Sequence, residues 1–216
     1  MASASAKVSG KTVTIAQDKA RVRAEVRRRV ARMTEAERAR ASADATERFL
    51  SLPAVARART LLAYWPLPDE VDVRDLCRRW LESGRRLAGV RADWSSRTLE
   101  AAWVSDLESG WGPGPRGVRQ PVSEAPRAER ADIDLVLVPG VAFDESCRRL
   151  GRGAGFYDRL LALEDWPAPR VALAFEAQLM DRLPVEEHDR PVDAVVTESR
   201  VRVRAGGRLA DAGPSV

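Results

Sequence analysis

Between Asp144 and Arg159 the chain reads DESCRRLGRGAGFYDR, with glycines at 151, 153 and 155 between a predicted strand and a predicted helix. Glycine at alternate positions lets backbone amides approach an anion closely. A loop that leaves a parallel strand for a helix amino terminus is where amides and the helix dipole hold phosphate. Arg149 and Arg152 add guanidinium charge to such a cradle. A glycine-rich segment also serves a plain chain reversal, so a phosphate site and a structural loop both stand as readings. Two common nucleotide signatures are absent: there is no GxxxxGK[ST], and the third glycine of GxGxxG falls at Phe156. Asp158, directly after the loop, is placed either to bind magnesium or to cap the helix.

Other chemistry is sparsely represented. His188 is the single histidine and sits beside Glu187 and Asp189 in a polar turn, which reads as surface. Cys77 and Cys147 are far apart and lack metal-ligand spacing, so neither a zinc site nor a disulfide framework is expected. Cys77 reads as core and Cys147 as loop. Reduced thiols and the absence of an apolar leader suit a cytoplasmic protein, and no apolar run approaches the roughly 18 residues of a membrane helix.

The 216 residues carry 36 Lys and Arg against 32 Asp and Glu, a net +4, and 44% are hydrophobic, which describes a globular chain of one domain. Positive charge concentrates between Lys19 and Arg48, with ten basic and five acidic residues. No nucleic-acid module accompanies that surplus, and a solvated helix face accounts for it.

The elements that must position the loop follow from periodicity. Val22, Val26, Val30 and Met33 predict an amphipathic helix over Lys19–Arg32, with Lys19 and Arg23 on one face. Thr34 and Glu37 have capping-box spacing and open a second helix over Glu35–Leu50. Strands are predicted at Thr60–Trp65, Arg86–Arg91, Thr98–Val104, Leu135–Val138, Arg170–Phe175 and Val192–Thr197, with Arg200–Arg204 at a sheet edge. Helices are predicted from Val73 to near Gly84, over Phe156–Glu164 and over Glu176–Leu183, and Gly110–Gly117 reads as a loop. Trp94, Trp103 and Trp111 cluster around that loop, as core or as a stacking surface. This alternation predicts an α/β protein, a three-layer αβα sandwich with a mostly parallel central sheet preceded by basic helices. Residues 1–17 and 205–216 read as tails around a domain over 18–204.

The segment VPGVAFDESCRRLGRGAGFYDRLL resembles the signature of the 5-formyltetrahydrofolate cyclo-ligases, also called methenyltetrahydrofolate synthetases. KARVR at Lys19–Arg23, LPDEVDV at Leu67–Val73 and PVDAVV at Pro191–Val196 follow in the family's order. The resemblance implies that Lys19 and Arg23 contact ATP phosphates. It also implies that the loop Arg149, Leu150, Gly151, Arg152, Gly153, Ala154, Gly155, Phe156 and Tyr157 wraps the nucleotide. Folate is then met by Trp65, Glu70, Arg152, Gly153, Ala154, Gly155 and Phe156, with Glu70 gripping the pterin. Asp158 and Asp193 match the magnesium-associated acids, and Arg152 and Lys19 carry the catalytic charge.

The implied reaction is an ATP- and Mg²⁺-dependent ring closure of 5-formyltetrahydrofolate to 5,10-methenyltetrahydrofolate with release of ADP and phosphate. Charge neutralisation and in-line positioning matter more there than a protein nucleophile, so a chain with one histidine suffices. A monomer acting on small molecules is expected. The rivals are a paralogue activating another formamide or carboxylate, and a nucleic-acid-binding protein built on the basic helices.

Overall fold

The computed structural model describes residues 14–163 and 166–209. Helix α1 (Ile15–Ala31) starts one turn earlier than its apolar stripe suggests, because Thr14 and Gln17 form a capping box. The expected tail therefore ends before Ile15, and residues 1–13 of it lie outside the described residues. The same device, Thr34 with Glu37, starts α2 (Glu35–Leu50) as expected. A short α3 (Pro53–Arg57) leads into β1 (Thr60–Ala63), and α4 (Arg74–Glu82) returns to β2 (Arg86–Asp93). Next come β3 (Thr98–Val104), β4 (Trp111–Pro113), β5 (Arg119–Pro121), β6 (Arg127–Ala128) and β7 (Leu135–Leu137). The chain continues through β8 (Ala142–Asp144), β9 (Arg149–Leu150), α5 (Phe156–Leu161), β10 (Arg170–Leu173), β11 (Leu179–Met180), β12 (Ala194–Val196) and β13 (Val201–Val203).

The main sheet has the order β13-β12-β10-β7-β1-β2-β3-β6. Its five inner strands, from β12 to β2, are parallel, while β13 and β3 run against them at the margins and β6 pairs antiparallel with β3. The inner strands are continuous apolar runs because both faces are covered. Leu61, Leu135, Leu137, Val171 and Val196 face the core shared with α1, α2 and α4. Their neighbours Leu62, Val136, Val138, Ala172 and Val195 face the core shared with α5 and Trp166. The two helical layers are unequal: the second has one helix of six residues, supplemented by a small sheet of β11, β8 and β9.

Three local expectations are corrected. Glu176–Leu183 is not an α-helix: a 3-10 turn at Glu176–Gln178 runs into β11, which pairs in parallel with β8. Gln178 drives this, accepting from the Phe175 amide and donating to the carbonyls of Gly140 and Val141, so its side chain is tied across the fold. Gly110–Gly117 is not all loop, since Trp111–Pro113 pairs with β5. Residues 205–209 are no tail either, because the Arg208 amide donates to Asp193 and Leu209 packs on the core. Helix α5 stops at Leu161, and Glu164 lies outside the described residues. Cys77 is core as expected, and Cys147 lies in the β8–β9 turn but is fully buried.

Candidate active site

The carboxyl ends of β1, β7 and β2 open onto a cavity of about 220 Å³ whose walls include Tyr64, Trp65, Val90, Trp94, Pro139 and Phe156. This is where ligands bind in open parallel sheets. A second cavity, of about 570 Å³, lies on the α1 side and is lined by Lys19, Arg23, Arg97, Asp158, Arg159 and Asp189 among others. Gly151, Gly153, Ala154, Gly155 and Asp158 line both. The glycine loop is thus a partition with one apolar, aromatic chamber and one strongly charged chamber on its two sides.

The loop's conformation needs its glycines. Gly153 has φ +103° and Gly155 φ +74°, left-handed values that side chains resist. A Cβ at Gly151 would sit 2.8 Å from Nη1 of Arg149. That arginine is not a free phosphate ligand as expected. Its side chain is 3% exposed, donating to the Pro139 carbonyl at 3.1 Å and to Oδ1 of Asp158 at 2.5 Å, so it braces the loop from beneath. Because α5 has six residues, its dipole is short, and the positive character of this region comes mainly from the surrounding cations.

Arg23 donates to the Gly151 carbonyl at 2.8 Å, which joins α1 to the loop. Lys19, on the same helix face, is buried and its ammonium lies 2.6 Å from both Glu186 and Asp189. Burial alone would lower its pKa, but the hydrogen bonds it donates to Asp189 and Glu186, with their negative charge, outweigh that and raise it. Glu186 and Asp189 were not expected; the acidic run VEEHD was their signal. His188 is exposed as expected, and it completes a group of three potential metal donors with those acids. The Lys19 ammonium already occupies the two carboxylates.

Arg152 leans toward the apolar chamber. It donates to Oε1 of Glu70 at 3.0 Å and also pairs with Asp69, which the sequence reading left out. The other oxygen of Glu70 accepts from the Leu67 amide at 3.0 Å. Burial raises the Glu70 pKa, with Arg152 opposing. Tyr157 lies at the same cavity, its hydroxyl buried without a hydrogen-bond partner among the described residues and its pKa raised by burial and by Glu70. Trp65 packs at a 52° tilt against Trp111, ring centres 5.4 Å apart, with Arg119 4.5 Å over its ring, and Phe156 meets Trp94 edge-on at 4.8 Å. The tryptophans at 94 and 111 thus serve as cavity wall and as its backing.

Asp158 and Asp193 are not brought together. Asp193 precedes β12, at the opposite end of the strands from the loop, and is fully occupied by the Arg170 amide, Arg204 and Arg208. It lines neither cavity, so it holds no ion here. Asp158 does fit magnesium. Its Oδ2 has no hydrogen-bond partner among the described residues, and it borders both cavities. One carboxylate oxygen with substrate phosphates and water is a common magnesium environment.

A charged chamber and an aromatic chamber thus meet at one glycine loop on the edge of an α/β sheet. The profile of the 5-formyltetrahydrofolate cyclo-ligase family matches residues 15–198. The 5-formyltetrahydrofolate cyclo-ligase of Escherichia coli strain K12 is 30% identical over 187 residues, covering 82% of this chain and 98% of that protein. The corresponding protein of Mycolicibacterium smegmatis is 35% identical over 145 residues, 66% of this chain and 75% of that one. Among solved structures, the 5,10-methenyltetrahydrofolate synthetase of Aquifex aeolicus superposes with a TM-score of 0.75 at 33% identity, covering 86% of this chain and 92% of that one. The chain belongs to the 5-formyltetrahydrofolate cyclo-ligase family, and its activity is that of an ATP-dependent ligase of folate one-carbon metabolism. No helix among the described residues is long and apolar enough to cross a membrane.

Proposed function

We propose that the apolar chamber takes the pterin and formyl group of 5-formyltetrahydrofolate and the charged chamber takes the phosphates of ATP. The observation that carries this is the loop Gly151–Gly155, which borders both chambers and so brings the two reacting ends to one place. The formyl oxygen attacks the γ-phosphate, ADP leaves, and the neighbouring anilino nitrogen closes on the activated carbon. Phosphate then departs and 5,10-methenyltetrahydrofolate remains.

In this reading Trp65 and Phe156 sandwich the ring system, Glu70 accepts from its amino and ring N–H groups, and the loop amides with Arg23 hold the phosphates. Arg152, in the loop that borders both chambers, reaches from the apolar side to neutralise charge on the transferring phosphoryl group. Lys19 exchanges one of its two carboxylate partners for a phosphate oxygen. Asp158 would hold Mg²⁺, which when bound supplies charge neutralisation across the phosphates. Proximity and electrostatics carry the chemistry, and no side chain acts as a covalent nucleophile.

The test mixes the purified chain with 5-formyltetrahydrofolate and MgATP and follows the near-ultraviolet absorbance of the methenyl product. A rise that needs both ATP and metal is expected. No rise from folded protein that still binds ATP would shift the substrate to another formamide or carboxylate.

A further inference from the structure

The tip of the β2–β3 hairpin, Trp94–Arg97, reaches over the partition loop and touches both chambers. Asp93 builds this tip by accepting from the Ser95 amide at 2.8 Å and from the Ser95 and Ser96 hydroxyls at 2.6 and 2.8 Å. Trp94 packs edge-on against Phe156, the first residue after the glycine loop, which fixes the hairpin to the site. Arg97 then adopts φ +56°, a left-handed value uncommon for an arginine, and its side chain lines the charged chamber.

The other cations of that chamber are held by the protein. Lys19 is paired with Glu186 and Asp189, Arg23 with the Gly151 carbonyl, Arg159 with the Gly155 carbonyl and Arg190 with the Glu187 carbonyl. Arg97 has no hydrogen bond or ion pair among the described residues. A guanidinium that borders a strongly charged cavity, on a turn braced by three hydrogen bonds to Asp93 and a ring contact, and is left without a protein partner among the described residues is available to a ligand.

We propose that Arg97 is a nucleotide-positioning residue, a guanidinium delivered by the hairpin tip to the polyphosphate of ATP. The proposal rests on the assignment of the charged chamber to ATP. It also gives the hairpin a double place in the site, with Trp94 walling the folate side and Arg97 the nucleotide side.

The test is calorimetric titration of the full chain with MgATP in the absence of folate, for wild type, Arg97→Gln and Arg97→Lys. Loss of a charge-assisted phosphate contact should weaken MgATP binding roughly tenfold or more in Arg97→Gln. Arg97→Lys should recover part of it, and KM for 5-formyltetrahydrofolate should stay within about twofold of wild type. Binding should also depend less steeply on salt in Arg97→Gln than in wild type. Wild-type MgATP affinity in a folded Arg97→Gln would overturn the assignment of Arg97. Should Arg97→Gln misfold, unchanged affinity or a wild-type salt slope in a folded Arg97→Ala would do the same. Failure of the wild-type chain itself to bind MgATP would instead overturn the reading of the chamber, and Arg97 with it.

Discussion

The guanidinium of Arg152 and the carboxylate of Glu70 are hydrogen bonded to each other at 3.0 and 3.2 Å. Glu70 is 7% exposed at its side chain, and Arg152 is one-third exposed. The two groups therefore neutralise one another at the wall of the apolar chamber, and anything that binds either must compete with the other.

Arg152→Ala tests this directly. Removing a charge from a transferring phosphoryl group should lower kcat/KM by roughly 10²–10³-fold, and Arg152→Lys should restore only part because one ammonium cannot serve Glu70 and phosphate as a planar fork does. Steady-state kinetics with a wild-type kcat/KM in Arg152→Ala would remove the residue from the mechanism.

Burial lifts the Glu70 carboxyl above its ordinary value of 4.5, although Arg152 pulls the other way. The folded protein then holds this proton more tightly than the unfolded chain, so the stability Glu70 contributes is complete below the ordinary value and declines as pH rises through the raised one. Glu70→Gln cannot titrate. Its urea midpoint should gain on that of wild type as pH is raised from about 4.5, and parallel profiles would show that Glu70 ionises as an ordinary surface carboxylate.

Lys19→Met should leave Glu186 and Asp189 facing one another without their shared ammonium. Breaking a fully buried pair costs roughly 3–5 kcal/mol, and because Glu186 is 41% exposed the expected loss here is about 2 kcal/mol. Nucleotide affinity should fall as well. A double change, Lys19→Met with Asp189→Asn, should regain stability but not nucleotide binding, a split that thermal melts and MgATP titration would reveal. Recovery of both would assign Lys19 to structure alone.

Gly89 on β2 lies under Trp111, where an added Cβ would come within 2.5 Å of the indole and 2.6 Å of the Pro121 ring. Gly89→Ala should destabilise the fold by roughly 1–3 kcal/mol through overpacking. Since Trp111 backs Trp65, it should also raise the folate KM more than the ATP KM. Equal changes in both KM values would argue that Trp111 does not support the folate wall.

Local signals in the sequence carried a good deal of this. The face shared by Lys19 and Arg23, the strand runs such as Leu135–Val138 and the glycine loop are written in spacing and residue type, and the structure forms each of them. What stayed hidden depends on where distant segments meet. Asp193 follows the expected motif order, yet strand direction places it at the far end of the sheet, and nothing in PVDAVV states which end faces the loop. Arg149 reads as a free cation until Pro139 and Asp158 are seen to enclose it. The helix expected at Glu176–Leu183 yields because Gln178 binds carbonyls 37 and 38 residues away. Trp111 joins a strand for a similar reason: its fit against Gly89 is a long-range match of shapes.

Helix α1 meets the site through residues 128, 167 and 170 positions further along, by way of Gly151, Glu186 and Asp189. Helix α1 thus waits for segments synthesised well over a hundred residues after it. Until Asp189 has left the ribosome, Lys19 lacks one of its two counter-charges and the charged chamber lacks part of its wall. Closures of that length are slow steps in folding, so competence for catalysis should appear late and all at once, and chains shortened before Glu186 should retain much of the sheet while lacking an assembled site.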